Sequence, residues 1–132
     1  RKELKKNRDY DPSIPEIHGD ENLFIQAALN IIKNAQQALL VTESPSITIK
    51  SRVAYGQPIN GNIHSTVCSV SIIDNGPGIP LDIQEQVFFP MVSTKEDGSG
   101  LGLSISQDII RIHGGAISFT TKSGETIFSI LM

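Results

Sequence analysis

Asn30-Ile-Ile-Lys-Asn34-Ala-Gln-Gln-Ala38 sets three amides, Asn30, Asn34 and Gln37, at i, i+4 and i+7 on one face of a helix, beside an apolar stripe. Around it Phe24, Ala28, Ile31, Ala35, Ala38 and Leu39 recur at helical spacing, and Asp20 or Asn22 supplies an N-cap. The helix is therefore expected to run to about Leu40. Buried amides are costly without partners, so either this face sees solvent or it serves a ligand. In the second case an Asn carbonyl oxygen suits Mg²⁺, a hard ion that prefers oxygen ligands. Lys33, next to the amides, is then placed to neutralise phosphate charge.

Two later stretches narrow the choice. Asp74-Asn-Gly-Pro-Gly-Ile-Pro80 follows an apolar strand, with Asp74 expected on the face of Cys68, Val70 and Ile72. A carboxylate partly buried there needs a donor, and the exocyclic amino group of adenine is one. Gly76 and Gly78 let the chain turn sharply and admit a flat base. An ordinary Asn-Gly turn stiffened by Pro77 and Pro80 is the alternative, but this composition directly after an apolar strand goes beyond it. Gly98-Ser-Gly-Leu-Gly-Leu103 then alternates glycine just before a second amphipathic helix, Leu101 to His113, whose first N–H groups form an anion cradle. Its spacing is neither the phosphate-loop lysine motif nor the dinucleotide Gly-x-Gly-x-x-Gly. Between the two glycine runs, Phe88-Phe-Pro-Met-Val-Ser-Thr-Lys95 reads as a short lid with two aromatic anchors. Lys95 either faces the phosphates when that lid closes or is a solvated lysine.

The remaining segments complete a pattern. A short N-terminal strand precedes an irregular connection from Asp9 to Pro15. Ile47–Ala54 and Val67–Ile73 read as strands flanking a polar loop that contains Gly56, Pro58, Asn60 and Gly61, together a long hairpin. Leu81–Val87 is a short helix. In the second long helix Leu101, Ile105, Ile109 and Ile112 form the apolar stripe, and Gly114 stops it. Ala116–Lys122 and Thr126–Met132 form a hairpin turning at Ser123-Gly124. The order β-α-β-β-α-β-β predicts an α/β (α+β) two-layer sandwich, a mixed sheet with helices on one face.

Composition limits the function. The 132 residues make one domain, and 39% hydrophobic content without an apolar run of about 18 residues argues against a membrane span. Arg1, Lys2, Lys5, Lys6 and Arg8 crowd the first eight positions, as a linker or a charge-protected edge strand. Residues 9–132 hold six Lys/Arg against thirteen Asp/Glu and no Trp, so they offer no basic face with stacking aromatics for nucleic acid. The single Cys68 excludes an internal disulfide framework, fits a cytoplasmic setting and reads as a small core residue. With methionine only at 91 and 132, the chain reads as a fragment of a longer protein.

Taken together, these residues resemble the ATP-binding catalytic domain of sensor histidine kinases, within the superfamily of gyrase, Hsp90 and MutL ATPases and their Bergerat-type fold. Asn30–Ala38 is similar to that family's N box, Asp74–Pro80 to its first glycine box, Val87–Pro90 to its F box and Gly98–Leu103 to its second glycine box. Gly124-Glu-Thr-Ile-Phe128 resembles the terminal Gly-Thr-x-Phe element with Glu125 inserted, and His113-Gly-Gly115 the usual helix end. The likeness covers about Asp9 to Met132. It implies ATP and Mg²⁺ as cofactors, with Asn34 on the metal and Asp74 on adenine. Asn30, Gly76, Gly78, Ile79, Gly98, Gly100, Leu101, Gly102, Leu103 and Thr126 would surround the nucleotide, with Asn30, Lys33 and Lys95 serving phosphoryl transfer. Gln37 stands where the family often has a basic residue. Arg8–Pro15, Asn30–Leu39 and Phe89–Ser93 resemble most the nitrogen-regulation sensor kinases.

Position 30 separates reaction classes. ATPases of the superfamily carry a glutamate there as general base for water, whereas the amide of Asn30 cannot accept a proton usefully. Transfer to a neutral imidazole needs no such base. None of His18, His64 and His113 lies in a phosphoacceptor motif, so the receiving histidine is expected on a separate dimerisation domain. The resemblance further implies an NtrC-like response regulator and a PII-type signalling protein as partners, and a monomeric isolated fragment. The competing reading is a nucleotide-sensing module that does not catalyse.

Overall fold

The computed structural model describes residues 3–13, 19–59, 61–89 and 102–132. Five strands, β1 (Lys5–Tyr10), β2 (Ser46–Ile59), β3 (Asn62–Asp74), β4 (Ala116–Lys122) and β5 (Glu125–Leu131), form one sheet in the order β1-β2-β3-β5-β4. β1 runs parallel to β2 and every other pairing is antiparallel, which makes the sheet mixed. Two helices, α1 (Glu21–Ala38) and α2 (Gly102–Ile112), pack against each other and on one face of it. This is the two-layer architecture that the element order predicts.

The pleat explains how the layers meet. Ser51, Val70, Ile130 and Ile117 form one cross-strand row on the helix-facing side, and Ile49, Ile72, Phe128 and Phe119 form the next. Ala27, Ile31 and Ala35 of α1 and Ile109 and Ile110 of α2 close over these rows in one core. A third row, Ile47, Asp74, Thr126 and Thr121, ends that face of the sheet, and there the side chains turn polar. The opposite face carries Lys50, Ser71 and Ser129, with the two serine hydroxyls 3.2 Å apart.

Several sequence expectations need correction. The central strands form the expected long hairpin, with less loop than expected: β2 and β3 continue to Ile59 and Asn62, with Gln57 opposite His64. Glycine and proline are local breakers, but a ladder already in register carries through them. Beyond Ser51, where β1 ends, β2 is a sheet edge that tolerates Pro58. β1 also reaches Tyr10, taking Asp9 and Tyr10 from the expected irregular connection, and Arg52 holds Asp9 at 2.7 Å.

The helix faces are rotated from the patterns read above. Ala27 is fully buried and Ala28 only half-buried, so the stripe of α1 is centred on Ala27, Ile31 and Ala35. In α2 Ile112 is 78% exposed while Ile110 is fully buried. The cause is Ser106, whose fully buried hydroxyl donates to the Ala27 carbonyl at 2.8 Å and sets which face of α2 meets α1. Hydrophobic periodicity counts a serine as polar and so points the helix slightly wrong. Asp20 is the N-cap of α1, accepting from Leu23 N–H at 3.2 Å.

Candidate functional site

The polar row opens into a cavity of about 320 Å³ between α1, the glycine turn after β3, the short 3₁₀ helix Leu81–Gln86 and the start of α2. Its walls include Asn34, Gln37, Ala38 and Val41 from α1 and its end, and Pro77, Gly78, Ile79 and Pro80 from the turn. Ile83, Val87 and Leu103 complete an apolar side, and Asp74 and Thr126 supply the floor.

Asp74 is only 3% exposed, and it accepts the Gly76 N–H at 2.9 Å through Oδ1. The aspartate thus braces the turn that follows it and keeps its carboxylate inside the cavity wall. Gly76 takes part as backbone, and a side chain there would strike Asp74 Oδ1. The turn is pinned on three sides. Ile79 N–H donates to Thr121 Oγ1 at 2.9 Å, Gly124 N–H donates to Gly76 O at 3.0 Å, and Gln84 Nε2 donates to Ile79 O at 2.9 Å. Asn75 faces the other way: its Oδ1 accepts Ser46 N–H at 2.8 Å and its Nδ2 donates to Ser44 O at 3.0 Å, holding the entry to β2. This mutual bracing is what an ordinary surface turn lacks.

Asn34, Asp74, Gly78, Ile79, Leu103 and Thr126 are therefore brought together around one cavity. Asn30 does not line it; its Nδ2 donates to Gly102 O at 3.3 Å and ties α1 to the first residue of α2. Gly102 packs against the Asn30 side chain. Lys33 is exposed and does not line the cavity; it sits with Gln36, Gln37 and Leu40 in a shallow depression that shares Gln37 with the cavity wall. Lys95, Gly98, Gly100 and Leu101, with most of the expected lid, lie outside the described residues. Of its two aromatic anchors only Phe88 is packed, its ring 6.0 Å from Phe119 and 6.1 Å from Phe128, whereas Phe89 is exposed.

Sequence reasoning missed the apolar half of the wall, Val41, Ile83 and Val87, because no local pattern shows that these side chains converge. It missed Thr121 too, which signals only through its place opposite Thr126 in the β4–β5 hairpin. His113 is structural. Its Nδ1 bonds Ile109 O at 2.8 Å, its Nε2 accepts Asp20 N–H at 3.0 Å, and its ring lies 4.4 Å from Phe24.

The family described as "Histidine kinase-, DNA gyrase B-, and HSP90-like ATPase" matches residues 19–132, which takes in the whole cavity. The chain belongs to this family. Among its relatives is the sensory histidine kinase/phosphatase NtrB of Vibrio alginolyticus, 47% identical over 95% of this chain and 36% of that protein. The NtrB of Klebsiella oxytoca is 43% identical over 98% of this chain and 37% of that protein. The chain therefore spans a little over a third of the length of these relatives. Among solved structures, the nucleotide-free catalytic domain of histidine kinase ThkA superposes with a TM-score of 0.77 at 27% identity, covering 98% of this chain and 78% of that domain. ThkA in complex with the response regulator protein TrrA superposes with a TM-score of 0.73 at 25% identity, over 98% of this chain and 34% of that one. Membership of this ATPase family implies that the chain binds a nucleotide. Among the described residues, no helix is long and apolar enough to cross a membrane.

Proposed function

We propose that this domain binds Mg-ATP in the cavity and transfers the γ-phosphoryl group to a histidine on a separate dimerisation domain of a cytoplasmic sensor kinase. The observation that carries the reading is the buried Asp74 carboxylate beside the Thr126 hydroxyl on the floor of a largely apolar cavity. Such a floor asks for a flat apolar ligand with a donor at its edge, and adenine with its exocyclic amine meets both demands. The rest of the nucleotide would extend towards α1 and the start of α2.

Asn34 fits Mg²⁺ by donor chemistry, since its amide oxygen is one hard ligand on the wall and this ion usually keeps waters and phosphate oxygens for its other positions. Bound there, the ion would supply charge neutralisation at the phosphates. Gly98, Gly100, Leu101 and Lys95 belong to the proposed phosphate side. Asn30 supports a kinase over a hydrolase, because its side chain is engaged with Gly102 O and offers water no base. The likeness to NtrB supports nitrogen regulation, with an NtrC-like response regulator as recipient and a PII-type protein as modulator. The ThkA–TrrA complex is the precedent for a response-regulator partner. The isolated domain is proposed to be a monomer.

Calorimetric titration with ATP, with and without Mg²⁺, tests the site. Mg²⁺ should tighten ATP binding to the parent chain, and Asn34→Ala should remove that gain while adenosine binding persists. An unchanged Mg²⁺ effect in Asn34→Ala would overturn the metal assignment.

A further inference from the structure

We propose that Thr121, which lies behind the cavity wall and does not line it, fixes the direction of the Thr126 hydroxyl and so makes the site select adenine over guanine. The inference rests on the nucleotide reading above and assigns Thr121 as a positioning residue.

Asp74, Thr126 and Thr121 stand side by side on β3, β5 and β4, all on the helix-facing side of the sheet. The Thr121 and Thr126 oxygens are 2.8 Å apart, so one hydroxyl donates to the other. Ile79 N–H, held in the glycine turn, donates to Thr121 Oγ1 at 2.9 Å. A hydroxyl has one proton and two lone pairs. If Thr126 were the donor, both lone pairs of Thr121 would be filled, and the half-buried Thr121 would turn its own proton to solvent. The direction assigned is the reverse, Ile79 N–H to Thr121, Thr121 O–H to Thr126 and the Thr126 proton left for the cavity, because accepting the Ile79 N–H makes the Thr121 hydroxyl the better donor. Thr126 is 4% exposed and lines the cavity, so in that direction its proton is available to a ligand there.

The floor then offers an acceptor, the Asp74 carboxylate, beside a donor, the Thr126 hydroxyl. Adenine carries the complement on adjacent atoms, the N6 amine as donor and N1 as acceptor. Guanine carries O6 as acceptor and N1–H as donor, reversed at both positions. Asp74 alone reads only the first of these. A Thr126 hydroxyl free to rotate would turn a lone pair to the guanine N1–H and relax the second. A site built to hydrogen-bond a specific edge rejects the wrong one because its own polar groups are left unpaired.

Thr121→Val keeps the shape and removes the hydroxyl. In the 132-residue chain, the ATP-to-GTP affinity ratio measured by calorimetry should fall roughly tenfold, the scale of one hydrogen bond. Thr121→Ser should restore it. In a Thr126→Val background, adding Thr121→Val should change the ratio no further. If Thr121→Val fails to fold, Thr121→Ala makes the same comparison. A purely structural role would weaken both nucleotides alike, and an unchanged ratio in a folded variant overturns the inference while leaving the nucleotide reading intact. A parent chain that binds no Mg-ATP overturns both.

Discussion

Gly78→Ala is the substitution whose cost the structure specifies most closely. Gly78 has φ +92°, a region where an L side chain is strained, by about 1–2 kcal/mol. An alanine Cβ would also sit 2.8 Å from Lys122 O and 3.2 Å from Thr121 Oγ1, closer to the carbonyl than real Cβ atoms come. A backbone carbonyl inside a hairpin cannot swing aside as a flexible side chain would. Parting the turn from β4 endangers the Ile79–Thr121 and Gly124–Gly76 hydrogen bonds, each worth about 1 kcal/mol. The expected loss is about 3 kcal/mol, a large share of a marginal domain stability of roughly 5–15 kcal/mol. Gly124→Ala is the internal control, since Gly124 has φ +91° with nothing within 4 Å of the added Cβ. It should lose only the strain, about 1–2 kcal/mol. Urea unfolding followed by circular dichroism measures both, and nucleotide affinity should fall further in Gly78→Ala. Equal losses in the two variants would refute the argument that contact with Lys122 constrains the turn.

Other predictions follow the same logic. Ser106→Ala should cost about 1 kcal/mol in urea unfolding, because the hydroxyl is a fully buried polar link between α1 and α2; a neutral result would remove it as the device that orients α2. Burial raises the Cys68 thiol above its ordinary 9.0, and the charge of Asp11 adds to this. The folded state thus holds that proton more tightly, and the contribution is present below pH 9 and lost as pH rises through the folded value. Cys68 should therefore react slowly with Ellman's reagent at pH 8 and quickly in urea. The hydrogen bond from Arg52 holds the Asp9 carboxyl below its ordinary 3.8, despite some desolvation in the opposite direction. That support for the β1 edge is present above pH 3.8 and fades as pH falls through the lowered value. Arg52→Ala should move the Asp9 titration, followed by NMR, back up towards 3.8.

The parts of the fold readable from sequence were those specified by local chemistry. Asp20 caps α1, the β4–β5 hairpin turns at Ser123-Gly124, and Asp74 closes a strand whose alternate residues face the core. Each depends on residues close in the chain. What eluded the sequence was set by distant partners: Pro58 remained in a strand because β3 was already paired with it. Ile112 turned outward because Ser106 bonds Ala27, 79 residues away along the chain. The same divide runs through the site. The motif residues Asn34, Asp74, Gly78 and Thr126 announced themselves, but the apolar wall of Val41, Ile83 and Val87 arises only when three separate segments meet. Asn30 shares a helix face with Asn34 but stands about 6 Å along the axis, where it meets Gly102, and Lys33 is turned about 100° from Asn34, so residues of one motif need not share a cavity.

A kinase domain must pass the γ-phosphoryl group of the ATP that it holds to its histidine. Supplying γ-labelled Mg-ATP to the chain together with the histidine-bearing domain of its full-length protein tests it most directly. Acid-labile label is expected on that second domain, with loss of the label when Asn34 or Asp74 is substituted. ATP binding without any transfer to the histidine would contradict the kinase assignment and leave a nucleotide-sensing module.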